Sequence, residues 1–273
     1  MELHYKKYDR HAALSDGQSP LLILHGIFGA GGNWHSLSKK VFSSDRDVYA
    51  IDQRNHGRSP HNDSFTFDDM VGDLEEFMDT LEIESASILG HSMGGKTAMY
   101  FALTHPDRVS QLIIADIAPV TYPDLHEHVF DALRGIDPAQ YSHRDDIDSV
   151  LSKSVTSVRV RQFLLKNIVR KNGALAWAMN LDAIFQAYPV LRGEVEGWPP
   201  FSGDTLFIRG DQSDYIQDEH KLSIYHLFPA AEIKTIKDAG HWLHAEKPDA
   251  FGDMVESFLT HGSRLSQNRT NGL

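Results

Sequence analysis

Residues 86–97 centre on Gly90-His91-Ser92-Met93-Gly94, a G-x-S-x-G. A short apolar run at Ile88-Leu89 leads into it, and a helix-compatible run over 97–105 leads out. A serine in such a strand-to-helix turn has its hydroxyl pushed out of the chain on a sharp, strained bend. The glycines two residues before and after it leave room for the bend and for close strand–helix packing. The feature constrains the rest of the chain: it needs a buried strand behind Ser92 and a helix in front of it.

The remaining sequence supplies that setting. Short apolar runs ending in turn formers recur at 21–24, 48–51, 112–115 and 206–208, with Ile233 and Ile236 suggesting one more. Such runs read as buried parallel strands. Helical patterns over 33–42, 67–81, 97–105 and 249–259 alternate with them. The alternation predicts an α/β fold with a mostly parallel, doubly wound sheet, and residues 2–14 are expected to add an antiparallel edge. Between Pro119 and Pro200 the rhythm breaks. This stretch shows helical patterns at 125–133, 147–151, 158–169 and 175–188 and no strand pattern, so we read 119–200 as an inserted helical cap over a core of 1–118 and 201–262. The polar tail 263–273 reads as disordered.

Composition narrows the function classes. With 26 basic and 38 acidic side chains the formal charge is −12, which argues against nucleic acid or an anionic membrane as a main partner. The absence of cysteine removes disulfides, thiolate metal sites and a cysteine nucleophile. No apolar stretch approaches the roughly 20 residues needed to span a bilayer, and the first residues lack an apolar signal segment, so a cytoplasmic location is expected.

A serine hydroxyl is a weak nucleophile at neutral pH and needs a base. In hydrolases built on this turn, the partners follow the serine in the order acid, then histidine. His241, in Asp238-Ala239-Gly240-His241-Trp242, follows the last predicted strand and is the candidate base among 16 histidines. Two carboxylates at strand ends compete to orient it. Asp116 follows the 112–115 strand, and Asp214 lies beyond the 206–208 strand. Asp116 is favoured, because it can reach His241 from a neighbouring strand end. Oxyanion donors must be backbone amides: Met93 directly after the nucleophile, and Ile27 in His25-Gly26-Ile27-Phe28-Gly29, with Phe28 as the alternative. His25 reads as a brace for that loop, and Asp52-Gln53-Arg54-Asn55-His56-Gly57-Arg58-Ser59 as a tied-down loop at the sheet edge. His126 and His128, two apart, do not share a helical face, so no metal is expected there. No cofactor is called for.

Taken together, these segments, with Asp116-Ile117-Ala118-Pro119-Val120 and Gly240-His241-Trp242 running into His244-Ala245-Glu246-Lys247-Pro248, resemble the α/β-hydrolase superfamily, and within it the YbfF-type esterases. The resemblance spans residues 21 to about 251. It implies hydrolysis of small carboxylic esters or acyl thioesters through an acyl-enzyme on Ser92. It also implies that Asp116 is the acid and that Ser213 occupies the position where other hydrolases of this fold carry it. Asp214, one residue beyond, keeps the second assignment in play. Two other readings share the residues: a carbon–carbon bond hydrolase or lyase using the same triad, and a small-molecule receptor that does not turn its ligand over.

Overall fold

The computed structural model describes residues 1–11 and 18–262; the predicted tail 263–273 lies outside them. Seven strands form one sheet in the order β1-β3-β2-β4-β5-β8-β9. They are β1 (Tyr5–Tyr8), β2 (Leu21–Leu24), β3 (Val48–Ile51), β4 (Ala86–His91), β5 (Val109–Ala115), β8 (Thr205–Gly210) and β9 (Ala231–Ile236). All pairings are parallel except that of edge strand β1, which runs antiparallel to β3. The chain therefore has the mostly parallel α/β sheet expected from the alternating pattern, in the α/β-hydrolase fold that the resemblance implies.

The apolar runs are continuous because both faces of the sheet are covered. Leu22, Leu24, Ile88, Leu112 and Ile114 pack with Phe77 and Phe101 on one face. Their neighbours Leu21, Ile23, Leu89 and Ile113 pack with Trp34, Phe251 and Phe258 on the other. The first face is covered by α2 (Phe67–Thr80), α3 (Met93–Thr104) and α8 (Lys221–Leu227). The second carries the helical segment 31–42, which includes the turn α1 (His35–Leu37), and also α10 (Pro248–His261), preceded by the short α9 (Leu243–Glu246). No helix of the described residues is long and apolar enough to cross a membrane.

Between β5 and β8 lie α4 (Glu127–Arg134), α5 (Arg144–Leu151), α6 (Val158–Leu164), β6 (Ile168–Lys171), β7 (Ala174–Trp177) and α7 (Leu181–Leu191). The expectation of helices over 158–169 and 175–188 is corrected here. Helix α6 stops at Leu164, and β6 and β7 pair as an antiparallel hairpin. Asn172-Gly173 turns it, both residues holding positive φ, at 53° and 87°. Asn-Gly is the pair that a two-residue hairpin turn demands. This insertion has its own apolar cluster, from Phe130, Leu133, Ile147 and Ile184, which extends onto Phe28, Phe67 and Met93 of the sheet layer.

Candidate active site

Register brings four chain segments to the carboxyl edge of the sheet. Gly90 pairs with Leu24, His91 with Ala115, Ala115 with Ile208, and Gly210 with Ile236. The residues after these positions, Ser92, His25, Asp116 and the 237–242 loop, therefore gather at one edge, where open α/β sheets place their ligands.

Ser92 stands at φ 52°, ψ −118°, between the end of β4 and the first turn of α3. Its amide donates to Ala115 O at 3.1 Å, which ties the bend to the next strand. The turn tolerates nothing larger than glycine on either side: a Cβ on Gly90 would lie 2.2 Å from Gly94 O, and one on Gly94 would lie 2.4 Å from Leu24 O. A φ this positive is costly for a side-chain-bearing residue and persists only where the surroundings enforce it.

Asp116 also holds a positive φ, 53°, and is fully buried. His241 Nδ1 lies 2.8 Å from Asp116 Oδ2. The Gly210 amide donates to Oδ1 at 3.2 Å, and the Ser213 hydroxyl donates to Oδ2. Burial pushes the Asp116 carboxyl above its ordinary value, and the Ser213 and Gly210 donors pull it back toward the ionised form. Burial holds the His241 imidazole below its ordinary value, so the ring is neutral at rest. Asp214 does not reach the histidine; it is exposed and accepts from Gln217 Nε2 at 3.4 Å.

Ser92 and His241 line one cavity of about 200 Å³, together with Ile27, Phe28, Phe163 and Trp242. A smaller space of about 30 Å³ lies on the other side of Ser92 and Met93, against Tyr122, Tyr188 and Leu191. Met93 opens α3, so its amide has no acceptor within the helix. In the 25–29 loop the Phe28 amide is already engaged, donating to His56 Nε2 at 3.3 Å, which favours Ile27 as the donor facing the cavity.

A family model for the alpha/beta hydrolase fold matches residues 19–145. The mouse sn-1-specific diacylglycerol lipase ABHD11 is 40% identical over 256 residues, covering 90% of this chain and 83% of that protein. The chain belongs to the α/β-hydrolase family. Esterase YbfF of Escherichia coli is 32% identical over 245 residues, covering 88% of this chain and 93% of that protein. A solved marine microorganism esterase superposes with a TM-score of 0.89 at 42% identity, over 94% of this chain and 99% of that one. Like these relatives, this hydrolase is a carboxylic ester hydrolase resembling the YbfF-type esterases.

The bracing expected of the flanking loops is visible in hydrogen bonds. His25 Nδ1 donates to Gly26 O at 2.8 Å while its Nε2 accepts from the Gln53 amide at 3.0 Å. Asp52 accepts from the Gly31 and Arg58 amides, and Arg54 forms a buried ion pair with Asp73 at 2.5 Å. Burial pushes His56 and His91 down to about 3, so both act as neutral hydrogen-bonding rings. His126 lines the cavity and pairs with the Tyr188 hydroxyl at 2.6 Å; among the described residues no cluster could hold a metal.

Two residues that hold the site were not singled out from sequence. Tyr215 stacks on the His241 ring at 3.9 Å, and His91 Nε2 donates to His241 O at 2.9 Å. His91 was within reach, as the variable residue of the G-x-S-x-G. Nothing in the sequence around Tyr215 marks it.

Proposed function

We propose that Ser92, His241 and Asp116 form the catalytic triad of a serine esterase that hydrolyses small carboxylic esters and acyl thioesters. Ser92 Oγ attacks the acyl carbonyl while His241 Nε2 takes its proton. Asp116, accepting from Nδ1, fixes the tautomer and stabilises the imidazolium. The oxyanion rests on the Met93 and Ile27 amides, each worth about 3 kcal/mol of transition-state stabilisation. Collapse expels the alkoxide or thiolate, which takes the proton from His241. Water, deprotonated by the same ring, then attacks the acyl carbon and frees the acid and Ser92. Side chains and backbone amides supply every group these steps use.

The observation that carries this reading is the 2.8 Å contact between His241 Nδ1 and Asp116 Oδ2, with His241 and Ser92 facing one cavity. The 119–200 insertion acts in this scheme as a cap, because its residues Phe163 and Leu164 wall the cavity opposite Ser92. At about 200 Å³ the cavity is smaller than the roughly 300–1,000 Å³ of drug-sized sites, which favours short acyl or alcohol groups. The mouse relative's name includes diacylglycerol, so a diacylglycerol belongs beside short-chain esters in the assay. The cytoplasmic location expected from the sequence belongs to this proposal and is checked by cell fractionation.

A p-nitrophenyl acetate assay tests it. The wild type turns the ester over, and Ser92→Ala, folded by circular dichroism, loses about 10⁴-fold or more in kcat. Equal rates in the two proteins would refute the assignment.

A further inference from the structure

A cleft of about 550 Å³ lies between β1, the loop after β3 and the chain joining α6 to β6. Lys6, Arg58 and Lys166 line it, each from a different one of these segments, and His4 lines its floor. The carboxylate among its lining residues is Asp52, which is buried and already accepts from the Gly31 amide at 2.7 Å, the Arg58 amide at 2.9 Å and His4 Nδ1 at 3.1 Å. Lys6 Nζ lies 3.4 Å from His35 Nδ1 and over the face of Tyr8. Among the described residues none of the three cations is in an ion pair with a carboxylate, and all three are exposed.

Three exposed cations without a carboxylate partner among the described residues line one cleft of a chain of formal charge −12. Like charges repel, and acidic side chains that could neutralise them are in surplus. The cleft thus presents a local positive potential that attracts anions. An arginine fork and lysine point charges are suited to a phosphate, which offers several oxygens and up to two charges. Tyr5, Val169 and Ala178 add apolar wall for an organic group. The cleft backs onto the candidate site: Asn167, one of its lining residues, donates through Nδ2 to Phe28 O at 2.8 Å, and Phe28 lines the Ser92 cavity.

We propose that this cleft binds the phosphate group of a small organic ligand. The proposal is independent of the triad assignment, because its test reads binding. Pyrophosphate is titrated into the wild type by calorimetry at low salt. Saturable binding is expected that weakens with added salt. The double variant Arg58→Ala with Lys166→Ala should bind at least about tenfold more weakly, with unchanged melting temperature and unchanged turnover of p-nitrophenyl acetate. If the double variant folds poorly, Lys166→Glu alone should show the same loss. No saturable binding by the wild type, or equal affinity in the folded variants, would overturn the proposal. Once binding is seen, kinetics with a glycerol ester and its phosphorylated counterpart name the source. A KM lowered by phosphate in the wild type and not in the double variant puts the phosphate on the substrate. Equal KM values assign the cleft to a separate phosphorylated ligand.

Discussion

At the carboxyl edge of the sheet, Phe28, Asn55, Ser92, Asp116 and Asp238 all hold φ between 52° and 64°. In the 119–200 insertion the one non-glycine residue of this kind is Asn172, at the tip of the β6–β7 hairpin. The edge is held by strand register and by buried donors aimed at backbone. The insertion is held by a separate apolar cluster and by side chains that reach across to main-chain oxygens. Lys96 is the clearest of these. It is 1% exposed, and its Nζ donates to Val120 O at 2.9 Å, to Arg192 O at 3.2 Å and to Gly193 O, gripping both ends of the insertion from α3. The difference teaches where change is tolerated: strain is concentrated where atoms must be fixed for chemistry, and the unit over them is fastened at a few points.

The contrast breaks most sharply at the acid. Asp116→Asn is expected to lower kcat on p-nitrophenyl acetate by about 10⁴-fold, through loss of the correct His241 tautomer. Asp214→Asn should stay within about twofold. A loss confined to Asp214→Asn would move the acid to the β8 loop.

A pH profile sharpens the same point. His241 must be neutral to accept the Ser92 proton, so activity is present above its pKa and falls about tenfold per pH unit below it. Burial places that pKa under the ordinary 6.5, so kcat/KM should be flat near pH 7, with its acid limb below 6.5. A limb centred above 7 would contradict the environment described for the ring.

Lys96 tests the fastening. Burial lowers its ammonium from 10.5 to about 7, against the weaker upward pull of the Glu194 carboxylate. Below pH 7 both folded and unfolded chains hold the proton and the burial penalty is full. Between 7 and 10.5 the unfolded chain alone holds it, so stability rises with pH. The melting temperature of the wild type relative to Lys96→Met should therefore climb by about 5 °C from pH 7 to pH 9. A difference that does not change with pH would place Lys96 in a less buried setting.

The smallest effect belongs to the wall supplied by the insertion. Phe163→Ala should raise the hexanoate-to-acetate ratio of kcat/KM by up to about tenfold and leave acetate turnover within about twofold. An equal loss on both esters would mean that α6 serves the sheet edge and not selectivity.

The same contrast governs what the sequence reveals. The Ser92 bend was legible because geometry forces its residues: side chains at Gly90 or Gly94 would collide with backbone. The inner strands β2, β3, β5 and β8 were legible because burial on both faces writes them with unbroken apolar runs. Asp116 could only be ranked above Asp214, since the choice depends on β5 lying beside both β4 and β8, which no local pattern encodes. The β6–β7 hairpin carried its Asn172-Gly173 signal in plain view. Only Ile168 and Leu175 of its two four-residue strands are buried, so they lack the apolar run that marked the others, and neighbouring helical spacing hid them. Tyr215 faces His241 through tertiary placement alone.

The central claim, that Ser92 is the nucleophile activated by His241, is tested most directly by intact-mass and peptide mapping after exposure to a fluorophosphonate. One adduct per chain on the Ser92 peptide is expected in the wild type, with His241→Ala labelling at least about a hundredfold more slowly. An adduct on another residue, or equal labelling rates in the two proteins, would contradict it.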